Sequence, residues 1–164
     1  MTNANARLKA NFRKMLIRAL IVGSVVLLSA CAGPPKLATL NLQISTTADV
    51  NPDNQGRPSP VILYILELSS DTQFNRLDYR SLTASSSAAL GPDLLSKTQQ
   101  VLQPGDNRII PMELNAQTAA IGFLAGYRDN DNAIWRSSVT ISQGDTKGVS
   151  VSLQQQQIIA SASN

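Results

Sequence analysis

Histidine is absent from all 164 residues, and cysteine occurs once, at Cys31. Without imidazole and with one thiol, most nucleophile–base pairs and transition-metal sites cannot be assembled. No internal disulfide is possible either. Aromatic residues make up only 4% of the chain. Beyond Phe12 they are Tyr64, Phe74, Tyr79, Phe123, Tyr127 and Trp135, and most fall on strand or helix faces expected to be buried. A stacked platform for a glycan or peptide is therefore poorly supplied. Ser/Lys chemistry remains available through Lys97 or Lys147, but neither sits in a catalytic motif, and no enzyme is expected. No cofactor and no small-molecule substrate are expected.

Acidic residues are missing from the first part of the chain, and this explains its overall charge. The net charge of +3 and pI near 9.3 suggest a basic protein. Arg7, Lys9, Arg13, Lys14 and Arg18 form a cationic stretch with no acid among them, whereas from Cys31 onward nine Lys/Arg meet eleven Asp/Glu. A basic leader on a weakly acidic domain argues for targeting and against nucleic acid. A long apolar run is also missing. Residues 19–30 are apolar for about a dozen positions, where roughly 20 are needed to cross a bilayer as a helix. A single-pass anchor is the alternative; the length suits the apolar region of a secretory signal peptide.

That run ends in Leu28-Ser29-Ala30-Cys31, which looks like a bacterial lipobox. Residues 1–30 then form a lipoprotein signal peptide, and Cys31 carries the lipid after cleavage. Three acyl chains, each stabilised by about 0.8 kcal/mol per buried methylene, hold far more firmly than one. Ala32 follows the cysteine, not the Asp that signals inner-membrane retention in enterobacterial sorting. The outer membrane, with the domain facing the periplasm, is the expected location. Residues 31–37, with Gly33, Pro34 and Pro35, read as a short tether.

Residues 38–154 read as one all-β domain. Leu40, Leu42 and Ile44 alternate with Asn41, Gln43 and Ser45, the period of a half-buried strand. Residues 48–60 form a polar loop stiffened by Pro52, Pro58 and Pro60. Val61-Ile-Leu-Tyr-Ile-Leu-Glu-Leu68 is apolar on both faces, as expected of a central strand. Asp71 offers a cap for a short helix over 72–82, burying Phe74, Leu77 and Tyr79. Residues 83–89 are small and serine-rich and are expected to be flexible. Further strands follow at 108–114 (Ile110, Met112 and Leu114 inward), 119–128, 134–141 and 148–153. On 119–128, Ile121, Phe123, Ala125 and Tyr127 share one face, while Ala120, Gly122 and Gly126 leave the other open to a close layer. Residues 155–164 read as a polar tail that frays. Seven to eight short strands with one helical insertion imply a two-sheet β-sandwich.

Two acidic stretches resemble the start of a calcium loop, which requires glycine at its sixth position. From Asp129 that position is Ile134, and from Asp49 it is Asn54. Both read as turns, and no metal is expected. Trp135 on an alternating strand reads as core, with a binding platform as the alternative.

Several motifs in order resemble one family. The lipobox and first strand are followed by Asn51-Pro-Asp-x-x-Gly-Arg-Pro-Ser-Pro60 and a strand ending Leu-Glu-Leu68. Phe74-x-x-Leu-Asp-Tyr79, Leu90-Gly-Pro-Asp-Leu-Leu95 and Leu102-Gln-Pro-Gly-Asp106 come next, then Ile121-Gly-Phe-Leu-Ala-Gly-Tyr-Arg-Asp129 and Trp135-Arg136. The set resembles the type VI secretion lipoproteins known as TssJ. The resemblance implies a transthyretin-like sandwich with an extra helix. It implies an outer-membrane anchor for the secretion machine's membrane complex, docked on the periplasmic C-terminal domain of an inner-membrane component, TssM. It also places the contact on the loop between the first two strands, here through Asn51, Pro52, Asp53, Gly56, Arg57 and Pro58. Asp53 and Arg57 would supply opposite charges for docking specificity. The same residue types also serve simply to turn a chain, and Arg57 could pair with a local acid. Residues 83–89 depart from the resemblance, being more serine-rich and less charged. A lipid-anchored module binding a glycan or peptide is the reading from another class.

Cys31→Ser is expected to leave the domain folded but unanchored and to abolish secretion. Membrane fractionation beside a secretion assay checks this, and normal secretion by the variant would contradict the anchor.

Overall fold

The computed structural model describes residues 39–142 and 148–163. The signal peptide, Cys31, the 31–37 tether and Lys147 lie outside the described residues. Among those described, eight strands form two four-stranded sheets: β1 (Thr39–Thr46), β2 (Val61–Leu68), β3 (Leu94–Leu102), β4 (Asn107–Glu113), β5 (Ala120–Gly126), β6 (Arg136–Thr140), β7 (Gly148–Leu153) and β8 (Ile158–Ser163). One sheet runs β4-β1-β7-β8 and the other β3-β2-β5-β6. Every neighbouring pair is antiparallel except β1–β7. Two helices, α1 (Tyr79–Ala84) and α2 (Ser86–Leu90), lie between β2 and β3. This is the expected sandwich with its helical insertion.

The alternations read from the sequence place the core. Leu40, Leu42 and Ile44 of β1 and Val149, Val151 and Leu153 of β7 face Leu63, Ile65, Ile121, Phe123 and Ala125 across the sandwich. Strand β2 is apolar on its other face as well, and Leu66 and Leu68 join a second cluster there with Phe74, Leu82, Leu90, Ala120 and Leu124. The helical insertion therefore covers the outer face of the β2–β5 sheet. Burying a side chain such as Phe74 or Leu82 stabilises by roughly 1.5–3 kcal/mol, enough to order a short insert that would not be helical alone. Gly122 makes that approach possible: a Cβ there would lie 2.7 Å from Phe74 Cζ.

The insertion departs from the sequence expectation in where its helix starts. Residues 71–77 form turns, and Asp71 accepts from Asn75 Nδ2 (2.9 Å) and from Ser138 Oγ of β6 (3.1 Å). The cap is Asp78, which accepts from the Ser81 backbone N–H (2.9 Å) and hydroxyl (2.8 Å). The turn carries Phe74 onto Gly122 and Asp71 to β6. Arg136 secures the turn by donating to the carbonyls of Phe74 and Leu77, both at 2.8 Å.

The serine-rich stretch is not a flexible loop. It forms α2, in which Leu90 and Ser86 are buried. Lys97 reaches Ser86 Oγ (2.9 Å) and the Leu82 and Thr83 carbonyls (3.4 and 3.5 Å) and lies 4.7 Å above the Tyr64 ring. An ammonium so placed satisfies carbonyls at the end of α1. The tail differs too: β8 pairs along β7, with Ile158 buried. Its small side chains hide the strand in the sequence, yet the backbone of β7 still needs a partner on that side.

Glu67 is the buried acid among the described residues, accepting from Ser96 Oγ (2.8 Å), Thr118 Oγ1 (2.8 Å) and the Asn115 N–H (3.0 Å). It joins β2 to β3 and to the turn before β5. Gly122→Ala is expected to lower stability by about 1–3 kcal/mol, because the fully buried Phe74 ring has nowhere to retreat. Urea unfolding measures this, and an unchanged midpoint would mean that the insertion yields easily.

Candidate functional site

The loop joining β1 to β2 is built around Asn51, which is 3% exposed and has a φ of 51°. Asparagine tolerates this left-handed backbone better than most residues. Its Nδ2 donates to the Pro60 carbonyl at 2.6 Å, closing the loop across its base. Its Oδ1 accepts from the Arg128 N–H at 2.8 Å, and its own N–H donates to the Gln155 carbonyl at 2.9 Å. One side chain and its backbone thus tie the loop to the segments that follow β5 and β7. Val50, fully buried beside it, seats the loop in the core.

The tip closes on itself. Asp53 N–H donates to the Arg57 carbonyl (2.9 Å) and Gly56 N–H to the Asp53 carbonyl (2.8 Å), with Gly56 at φ 76°. Asp53 Oδ1 accepts from the Gln55 and Arg57 N–H groups (2.9 and 3.0 Å), and Oδ2 meets the Arg57 guanidinium at 2.7 and 2.8 Å. The hydrogen bonds from Arg57, side chain first, hold the Asp53 carboxyl below its ordinary range. The Arg57 side chain is 71% exposed.

The six residues read from the sequence therefore divide. Gly56, Arg57 and Pro58 are exposed at the tip; Pro52 and Asp53 are half-buried; Asn51 is internal. Asp53 and Arg57, read as opposite charges for docking, pair with each other, which is the local pairing the sequence left as the alternative for Arg57. Cys31 lies outside the described residues. Sequence reading missed Arg128, which lines a cleft of about 430 Å³ with Asp53, Asn54, Gln55 and Arg57. No local pattern marks it, because the bond that brings it there spans 77 residues.

A second cleft, of about 500 Å³, is lined by Asp78, Tyr79, Arg80, Asn130, Asp131 and Trp135. Tyr79 meets Trp135 edge-on, with ring centroids 5.3 Å apart, and the Arg136 guanidinium lies 4.8 Å from the Trp135 ring. Trp135 is half-buried and packs against both apolar clusters. It therefore serves the core and borders a cleft at once. The Asp129–Asn132 turn is closed by Asn132 Nδ2, 3.0 Å from each Asp129 oxygen.

Residues 38–156 match the family model described as "Type VI secretion lipoprotein, VasD, EvfM, TssJ, VC_A0113". The chain belongs to the TssJ family of type VI secretion lipoproteins. The fold agrees. A crystal structure of the lipoprotein TssJ1 from Pseudomonas aeruginosa is 33% identical, with a TM-score of 0.74 over 78% of this chain and 98% of that one. Serratia marcescens Lip, a membrane-bound component of the type VI secretion system, is 22% identical, with a TM-score of 0.70 over 78% and 99%. A chain in a structure described as a type VI membrane complex is 21% identical, with a TM-score of 0.67 over 75% and 97%. Comparison with curated protein sequences finds no match. The family is that of a structural lipoprotein and is not known for an enzymatic activity.

Within this TssJ-family domain, Asn51→Ala is expected to cost about 2–4 kcal/mol, since it strands the Arg128 N–H and adds left-handed strain. Asn51→Gly keeps the backbone permissive and should cost roughly 1 kcal/mol less. Thermal unfolding of both variants separates the two contributions, and equal losses would assign everything to the side-chain bonds.

Proposed function

We propose that this lipoprotein anchors the membrane complex of a type VI secretion system. Lipid on Cys31 holds it in the outer membrane, and the β1–β2 loop docks on the periplasmic C-terminal domain of a TssM-like inner-membrane component. The observation that carries the reading is the preformed loop. Asn51 fixes its base, the Asp53–Arg57 pair closes its tip, and Gly56, Arg57 and Pro58 are left exposed. A loop already held in one shape loses little entropy on binding, so more of its contact energy appears as affinity. Further support comes from the fold, which matches chains in structures described as a type VI membrane complex and as the TssM C-terminal domain from EAEC, the latter with a TM-score of 0.64 at 22% identity.

A lipid-anchored module binding a glycan or peptide is favoured by one observation, the cleft bordered by Tyr79 and Trp135. The packing of those rings weighs against it. Tyr79 and Arg136 both lie against Trp135, and part of its surface packs on the two cores. The two rings meet at 75°, so they present no single flat platform on which a sugar would stack.

The test is a pull-down of the detergent-extracted lipoprotein with the periplasmic domain of the co-encoded TssM-like protein. A Gly/Ser replacement of residues 52–58 that retains Asn51 runs in parallel. Binding that is lost in the replacement at unchanged melting temperature is the expected result. Binding that survives would move the contact to another face, and no binding by the natural chain would reject the docking role.

A further inference from the structure

The cleft at the loop tip holds two guanidinium groups and one carboxylate. Asp53 is fully engaged by Arg57 through Nε at 2.8 Å and a terminal nitrogen at 2.7 Å, and by two backbone N–H groups. Arg128 lies on the same cleft, and its charge is felt at Asp53. Its guanidinium nevertheless makes no ion pair or side-chain hydrogen bond among the described residues; only its backbone is tied, to Asn51. The next carboxylate, Asp129, is turned to Asn132. The cleft therefore carries a surplus of one positive charge, on an exposed side chain whose backbone is clamped.

From this geometry we propose that the cleft between Arg57 and Arg128 receives a carboxylate side chain of the docking partner, with Arg128 as its principal ligand. The proposal rests on the docking reading above and names the chemistry of that contact. An incoming Asp or Glu makes the group two guanidiniums and two carboxylates, so its charge closes. Arg128 presents a planar fork suited to carboxylate oxygens, which lysine would not reproduce. Asn51 gains a second role: by holding the Arg128 N–H it sets the spacing between a residue of the β1–β2 loop and one beyond β5. The docking surface then extends past the loop to a second segment, and its charge guides encounter and fixes the register of the partner.

The experiment measures the affinity of the detergent-extracted full-length lipoprotein for the TssM-like periplasmic domain at low and high salt. Arg128→Glu is expected to weaken binding about tenfold at low salt and to flatten the salt dependence. Arg128→Lys should fall between Glu and the natural residue. The Arg128 backbone bond is untouched, so melting temperatures should not change. A scan of the partner's Asp and Glu residues to Lys should then find one position that restores binding to Arg128→Glu. If the 52–58 replacement abolishes binding while Arg128→Glu binds like the natural chain, docking stands and the carboxylate proposal falls. If Arg128→Glu weakens binding and no acidic position restores it, the anion is not a partner carboxylate. If the natural chain does not bind, both readings fall together.

Discussion

Strands β2 and β5 carry apolar side chains on both faces, so their sheet has to be covered on the side away from β1 and β7 as well as toward it. The helical insertion meets that demand. Phe74 sinks against Gly122, Leu82 and Leu90 spread over Leu66 and Leu124, and Arg136 and Lys97 satisfy the carbonyls that these short segments leave unpaired. Helices of five and six residues have little stability of their own. They persist because the sheet beneath them would otherwise expose leucine to water.

With the sheets fixed, the loops at one end of the sandwich can be held in a single geometry. The β1–β2 loop spans the start of β2, and Asn51 binds it to the segments after β5 and β7 through bonds of 2.8 and 2.9 Å. The clamp is buried; the groups it positions are exposed. Internal residues set the shape, and tip residues are left for contact. A loop of prolines, glycine and acid amides would otherwise sample many shapes, and ordering it would cost affinity at the moment of binding.

Much of the fold could be read from local patterns. The alternation in β1 and the two-faced apolar run of β2 each placed a strand correctly, and the small residues at Gly122 and Gly126 marked where another layer comes close. Other features were hidden because their cause is remote in sequence. Helix α1 is capped by Asp78, not by Asp71, which accepts from Ser138 of β6. The serines of α2 are ordered by the roof they complete, and β8 forms despite weak side chains because β7 offers it an edge. Of the six loop residues, Asn51 proved internal, and Arg128 was missed. Nothing within a few positions of either residue records a bond that spans 77.

The sequence by itself determined the sandwich class and the family, since these rest on period and the order of short motifs. Periodicity reports which face of a strand is buried, and motif order survives without any knowledge of contacts. Only the tertiary structure decided which loop residues are free, which carboxylate is already paired, and which arginine is not. Those are properties of distance between groups far apart in the chain, and a local pattern carries no record of distance.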